Sequence, residues 1–206
     1  MSSKILFTIA AGHGGLHPTT KEYVTAGKRS PKLNGEALIY EGVNNRINVA
    51  HIIEGMNNAG LDCIDIVNSW QDVPLNERVR RINELARDRK VLHIDIHSDA
   101  NGNGREWDSA SGIGTYIYTK ASQSSIMAGE LFRDELKHVF NGIAKDRGLR
   151  KRNFYMLRET NCPSVLLELG FHTNLEEAKR MLTDDWRQRV VRSVVESCKK
   201  YQEYAR

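Results

Sequence analysis

Four residues stand where short apolar runs or turns end, and their types suit hydrolytic chemistry: His13, Glu41, His97 and Glu168. Glu168 is the sharpest signal, because it interrupts the run Val165-Leu166-Leu167-Glu168-Leu169. An ionised carboxylate among such neighbours is costly to bury unless a cation or hydrogen bonds compensate it, and burial raises its pKa toward the range useful to a general acid or base. His13 lies between Gly12 and Gly14, which leave room for a ligand to approach the backbone. A histidine in such a turn is by itself most often only a turn residue. His97 closes the segment His93-Ile94-Asp95-Ile96-His97, where alternation puts His93, Asp95 and His97 on one side of a strand. Two histidines, a carboxylate and one open position form a usual catalytic zinc set. The spacing is dispersed, so these residues alone reach only as far as a metal-dependent hydrolase.

The elements that would position these groups alternate. Apolar runs at 4–10, 63–67, 91–97, 113–118 and 165–169 read as strands. Helical spacing recurs over 42–59, from Leu75 to Leu85, over 122–139, and from Trp186 to Tyr201. Strands separated by helices predict an α/β fold: a three-layer sandwich with a twisted, mainly parallel (mixed) sheet of about six strands. In such sheets ligands gather beyond the carboxyl ends of the strands. The 206 residues carry no Pro/Gly/Ser linker or internal repeat, so one catalytic domain without a wall-binding module is expected. Residues 17–40 form a long irregular segment that should rim the site, and residues 101–112 a second loop.

Bulk properties narrow the classes. With 40% hydrophobic and 27% charged residues the chain is an ordinary globular protein rather than a disordered one. No apolar run approaches the roughly 18 residues that cross a bilayer, and the first strand leads directly into Gly12-His13, so no classical export signal is expected. Synthesis in the cytoplasm and release by another route follow as expectations. Three cysteines at wide spacing (Cys63, Cys162, Cys198) argue against a disulfide framework or a thiolate cage. The net charge of +4 favours anionic partners, but the cluster Lys145–Arg152 lacks interleaved aromatics, so no nucleic-acid role is expected.

The motifs resemble those of the zinc-dependent N-acetylmuramoyl-L-alanine amidases of the type-3 amidase family, over nearly the whole chain. Ile9-Ala10-Ala11-Gly12-His13-Gly14-Gly15 resembles the opening strand and first zinc histidine. Glu41-Gly42-Val43-Asn44-Asn45 resembles the glutamate ligand with its following asparagine. Ile94-Asp95-Ile96-His97-Ser98-Asp99-Ala100 is similar to the family's Ile-Ser-Ile-His-Ala-Asn-Ala, and Phe154–Arg158 with Pro163–Asn174 is similar to its closing motif. The resemblance implies Zn²⁺ on His13, Glu41 and His97, and Glu168 as the catalytic base. It implies peptidoglycan as partner, cut between N-acetylmuramic acid and the L-alanine of the stem peptide, by a monomer acting during wall degradation or host lysis. Asp95 replaces the family's serine and Ser98-Asp99 its Ala-Asn, which adds carboxylates near the site. The 17–40 segment replaces a short glycine-rich stretch and contains Glu36, a rival to Glu41. Arg158, Asp95 and Asp99 are candidate substrate contacts, and His17 and His172 are secondary candidates. His51, His93 and His138 read as surface or packed residues. Two other readings stay open: a zinc carboxypeptidase or related metal amidohydrolase, and a wall-binding domain without activity.

Overall fold

The computed structural model describes residues 4–205. In chain order the elements are β1 (Leu6–Ala11), β2 (Lys32–Leu33), β3 (Glu36–Ala37), α1 (Glu41–Asn58), β4 (Asp62–Asp65), α2 (Leu75–Asp88) and β5 (Val91–Asp99). They continue as β6 (Ile113–Tyr118), α3 (Gln123–Val139), β7 (Asp146–Arg152), α4 (Tyr155–Glu159), β8 (Ser164–Phe171), α5 (Leu175–Met181) and α6 (Asp184–Tyr204). The main sheet has the order β4-β1-β5-β8-β6-β7. Strands β4, β1, β5 and β8 run parallel, β6 is antiparallel to β8, and β7 is parallel to β6. This is the expected mixed, mainly parallel sheet.

Both faces of the sheet are covered, which is why its central strands read as nearly unbroken apolar runs. One face carries α1, α3 and α6. There Phe7, Ile9, Leu92, Ile94, Ile96, Val165 and Leu167 pack with Phe132 of α3 and Val190 and Val194 of α6. The other face carries α2 and α4, through Leu6, Val91, Val79, Ile82 and Met156. Strand periodicity therefore splits β5. Leu92, Ile94 and Ile96 enter the main core, and His93, Asp95 and His97 look to the α2/α4 side.

Two segments depart from the sequence expectation. The basic stretch 145–152 contains strand β7 at the sheet edge, where charged side chains guard against pairing with another chain. The long 17–40 segment contains a two-stranded hairpin, β2 and β3, and is tied down by bridges Leu16–Tyr23 and Arg29–Tyr40. The second bridge delivers the chain to the start of α1.

The main core sets the register of every strand that bears a site residue. Phe132→Ala, at a fully buried position, is expected to cost about 3–5 kcal/mol, read as a lower urea midpoint with an unchanged slope.

Candidate active site

The site forms at the carboxyl ends of β1, β5 and β8. His13 lies just beyond β1 with φ of 63°, a left-handed conformation uncommon for a residue with a side chain. Its surroundings enforce that conformation. Arg78 of α2 is buried at 1% exposure and donates to the carbonyls of Ala11 (2.8 Å), Val73 (2.8 Å) and His13 (3.3 Å). Asn45 of α1 donates to the Gly12 carbonyl at 3.4 Å. A β-carbon at Gly12 would fall on the His97 ring, and one at Gly42 would overlap the Gly14 carbonyl. Glycine at these two positions lets the first loop, β5 and the start of α1 meet.

Glu41 is the first residue of α1 and is 2% exposed. Its backbone N–H donates to the Lys28 carbonyl at 2.9 Å, which fixes the helix start in the absence of a side-chain cap. The carboxylate spans two imidazoles: Oε2 is 3.2 Å from His13 Nε2 and Oε1 is 3.2 Å from His97 Nδ1. The Ser98 N–H also donates to Oε1, at 3.3 Å. Burial opposes the charge on Glu41, yet the two histidines outweigh it and hold the carboxyl well below the usual range. The rings of His13 and His97 stand edge to face at 5.3 Å.

Glu168 of β8 is the register partner of His97 on β5, so both side chains leave the sheet on the same face. A register irregularity follows between His97 and Asp99, beside the site. Burial pushes the Glu168 carboxyl up to about 8; His97 pulls it down, while Asp99 and Glu41 push it up further. Its Oε2 is buried without a hydrogen-bond partner.

His13, Glu41 and His97 are the ligand-capable cluster among the described residues, with one donor atom of each within 4.8 Å of the others. Two ligands about 2.0–2.1 Å from a tetrahedral zinc lie about 3.3 Å apart, and the observed 3.2 Å separations fit that spacing. The charge balance points the same way. Glu41, Asp95 and Glu168 crowd one end of the sheet, while Arg147 is bound to Asp99 at 2.7 Å and to the Tyr116 hydroxyl at 2.6 Å, and Arg78 serves backbone carbonyls. A divalent cation suits the donor set and the unpartnered oxygen of Glu168. The adjoining cleft, about 320 Å³, is lined by these groups with Lys28, Leu75, Phe154, Tyr155 and Leu166.

Several expectations change. Glu36 sits exposed on β3, outside the ligand cluster, so Glu41 is the carboxylate that meets the histidines. Arg158 is not among the residues lining the cleft, and only its stacking over the Tyr155 ring touches the cleft wall. It binds Glu159 at 2.6 Å and Asn153 at 2.8 Å and lines a separate hollow with Tyr118 and Pro163, because α4 turns it outward. Asp99 borders the cleft, but Arg147 and the Ala100 N–H occupy its carboxylate. Asp95 is 1% exposed, borders the cleft and lies 3.4 Å from His97 Nε2. His17 folds its loop, accepting from Thr19 and Thr20 and packing on Trp70. His172 is buried against the Ser98 hydroxyl at 3.0 Å.

Arg78, Arg147 and Lys28 are site residues that sequence reasoning missed. Arg78 lies in the Leu75–Leu85 helix pattern, where an arginine reads as a solvated face. The signal was its neighbourhood: Val79 and Ile82 bury the adjacent surface. Arg147 was absorbed into a basic cluster, and nothing local marks it out.

The fold and the site together define a class: an α/β protein with a two-histidine, one-carboxylate centre at the carboxyl edge of its parallel strands and a glutamate beside it. The family model described as N-acetylmuramoyl-L-alanine amidase matches residues 8–200. The chain belongs to that family. It is 28% identical over 131 residues to an uncharacterised cell wall amidase of Bacillus anthracis, covering 61% of this chain and 24% of that protein. It is 28% identical over 124 residues to the N-acetylmuramoyl-L-alanine amidase CwlM of Bacillus licheniformis, covering 60% of this chain and 44% of the relative. The match thus spans less than half the length of both. The crystal structure of the N-acetylmuramoyl-L-alanine amidase from Clostridium difficile 630 superposes with a TM-score of 0.81 at 21% identity, covering 98% of each chain, which establishes the shared fold.

The Arg78 clamp can be tested directly. Arg78→Met leaves the Ala11 and Val73 carbonyls without their donor, at about 1–3 kcal/mol each. A lower melting temperature and weaker binding of an added divalent cation are expected, the second because His13 loses its backbone restraint. Unchanged values of both would show that the clamp is dispensable.

Proposed function

We propose that this protein is a zinc-dependent N-acetylmuramoyl-L-alanine amidase, which hydrolyses the amide between N-acetylmuramic acid and the L-alanine of the stem peptide in peptidoglycan. The observation that carries the reading is the pairing of Glu168 with His97 on adjacent strands, which sets a half-buried carboxylate beside a cluster that could hold a metal. His13, Glu41 and His97 would hold the zinc. Bound there, zinc supplies Lewis-acid polarisation of the scissile carbonyl and lowers the pKa of water to about 7.

The chain's own residues do the rest. A cation on the triad favours the ionised form of Glu168, which burial alone disfavours. Glu168 then accepts a proton from the attacking water as the new C–O bond forms, and returns it to the alanine nitrogen as the C–N bond breaks. Leu75, Phe154, Tyr155 and Leu166 offer apolar wall to the substrate, and Lys28 offers a positive charge for a carboxylate of an acidic peptide. Lys28 carries no ion pair within 4 Å among the described residues, and Arg158 faces elsewhere.

Digestion of purified peptidoglycan tests the reaction. Stem peptides bearing a free L-alanine amino group are expected, and release of C-terminal residues alone would instead indicate a carboxypeptidase. Glu168→Gln should lower turnover about 10²–10⁴-fold while zinc stays bound, as measured by elemental analysis. Binding to the wall without turnover in the unaltered protein would identify a binding domain. Arg158→Ala should leave turnover unchanged, because its hydrogen bonds go to Glu159 and Asn153 rather than into the cleft.

A further inference from the structure

The His97 ring is held between two carboxylates. Nδ1 lies 3.2 Å from Glu41 Oε1, inside the ligand cluster, and Nε2 lies 3.4 Å from Asp95 Oδ2. Asp95 precedes His97 by two residues on β5, so both side chains leave the same face of the strand. Its register neighbours are Ala10 on β1 and Leu166 on β8, neither of which offers a hydrogen-bonding side chain. Among the described residues no lysine or arginine pairs with Asp95, and its Oδ1 has no partner. A carboxylate buried to 1% exposure in such a place is a liability to the fold unless something specific compensates it. The His97 Nε2–H is the donor at hand.

Histidines that bind metals commonly donate their second N–H to a carboxylate, which fixes the tautomer and makes the ligating nitrogen more basic. We propose that Asp95 is a positioning residue for the metal: it accepts from His97 Nε2–H and so presents the Nδ1 lone pair toward Glu41 and His13. This deepens the zinc reading of the triad and rests on it. Serine, the residue that the family's motif carries here, brings no charge to the position. Asp95 therefore tightens zinc binding in this chain relative to its own serine variant. His93, the next residue inward on the same face, is engaged through Nδ1 with Thr8, while its Nε2 is buried without a partner.

The test is zinc affinity, measured by competition with a chromogenic chelator on the full chain, for the unaltered protein, Asp95→Asn, Asp95→Ser and His97→Ala. Asp95→Asn keeps the shape of the buried side chain, so it remains informative if Asp95→Ser destabilises the fold. Both Asp95 variants are expected to bind zinc about 10–100-fold more weakly. Nitrogen-15 NMR of the zinc-loaded protein adds a readout that a merely structural role would not move. The His97 Nε2–H proton should resonate at low field in the unaltered protein and move upfield in Asp95→Asn. Zinc affinities changed by less than about twofold, with the His97 proton unmoved, would overturn the proposal. If His97→Ala also binds zinc as tightly as the unaltered protein, the metal reading of the triad fails. If His97→Ala loses zinc while both Asp95 variants keep it, only the role of Asp95 fails.

Discussion

The Glu41 carboxylate, 2% exposed and held 3.2 Å from both His13 Nε2 and His97 Nδ1, is the contact on which the other features converge. It joins three distant pieces of chain: the turn after β1, the first residue of α1 and the end of β5. No apolar packing could bring these together, because each carries polar groups that must be matched before they are buried. The surrounding structure supplies the matches. Arg78 takes up carbonyls of the first turn, Lys28 accepts from the Glu41 N–H, and the Ser98 N–H donates back to the carboxylate. The left-handed backbone of His13 and the missing β-carbons of Gly12 and Gly42 are the steric terms of the same arrangement.

Those local strains are tolerable because the sheet beneath is rigid. Strands β1, β5 and β8 are buried on both faces, and the core of Phe7, Ile94, Ile96, Val165 and Leu167 sets their register. A shift of one residue in β8 would send Glu168 into that core and bring Leu167 or Leu169 to the site. The pairing of Glu168 with His97 is therefore set by the main core on the opposite face, at a depth that the cleft's loops do not reach.

This division explains what was legible in the sequence. His13 and His97 stand at the ends of short apolar strands and Glu168 interrupts one, and a mainly parallel sheet follows from strands that alternate with helices. The choice between Glu41 and Glu36 was not local. Both glutamates lie at the end of an irregular segment, and the outcome depends on where α1 begins, which a backbone bond to Lys28 decides. Arg78 was hidden because its partners Ala11 and His13 are remote in the chain, and a buried arginine on a helix looks like a solvated one until the backbone it serves is known. Arg158 is the opposite case. It lies within a motif that points to the site, yet α4 is short and carries Met156 and Leu157 inward, which turns Arg158 out.

Asp95, as proposed, would alter the site through His97 from a fixed backbone position. The β5 backbone gives that position one direction, beneath His97 and between Ala10 and Leu166, whatever side chain occupies it. An aspartate costs more to bury than a small hydroxyl, so its net effect is favourable only when a cation draws on the other nitrogen of the ring. A cation on the triad would couple these charges in sequence, from Asp95 through His97 to Glu168, whose ionisation burial opposes. The cleft walls stand apart from that chain. Lys28, Leu75 and Phe154 come from loops and element ends rather than from the sheet. Changes in those walls can alter which peptide is accepted while the strand register keeps the reacting groups in place.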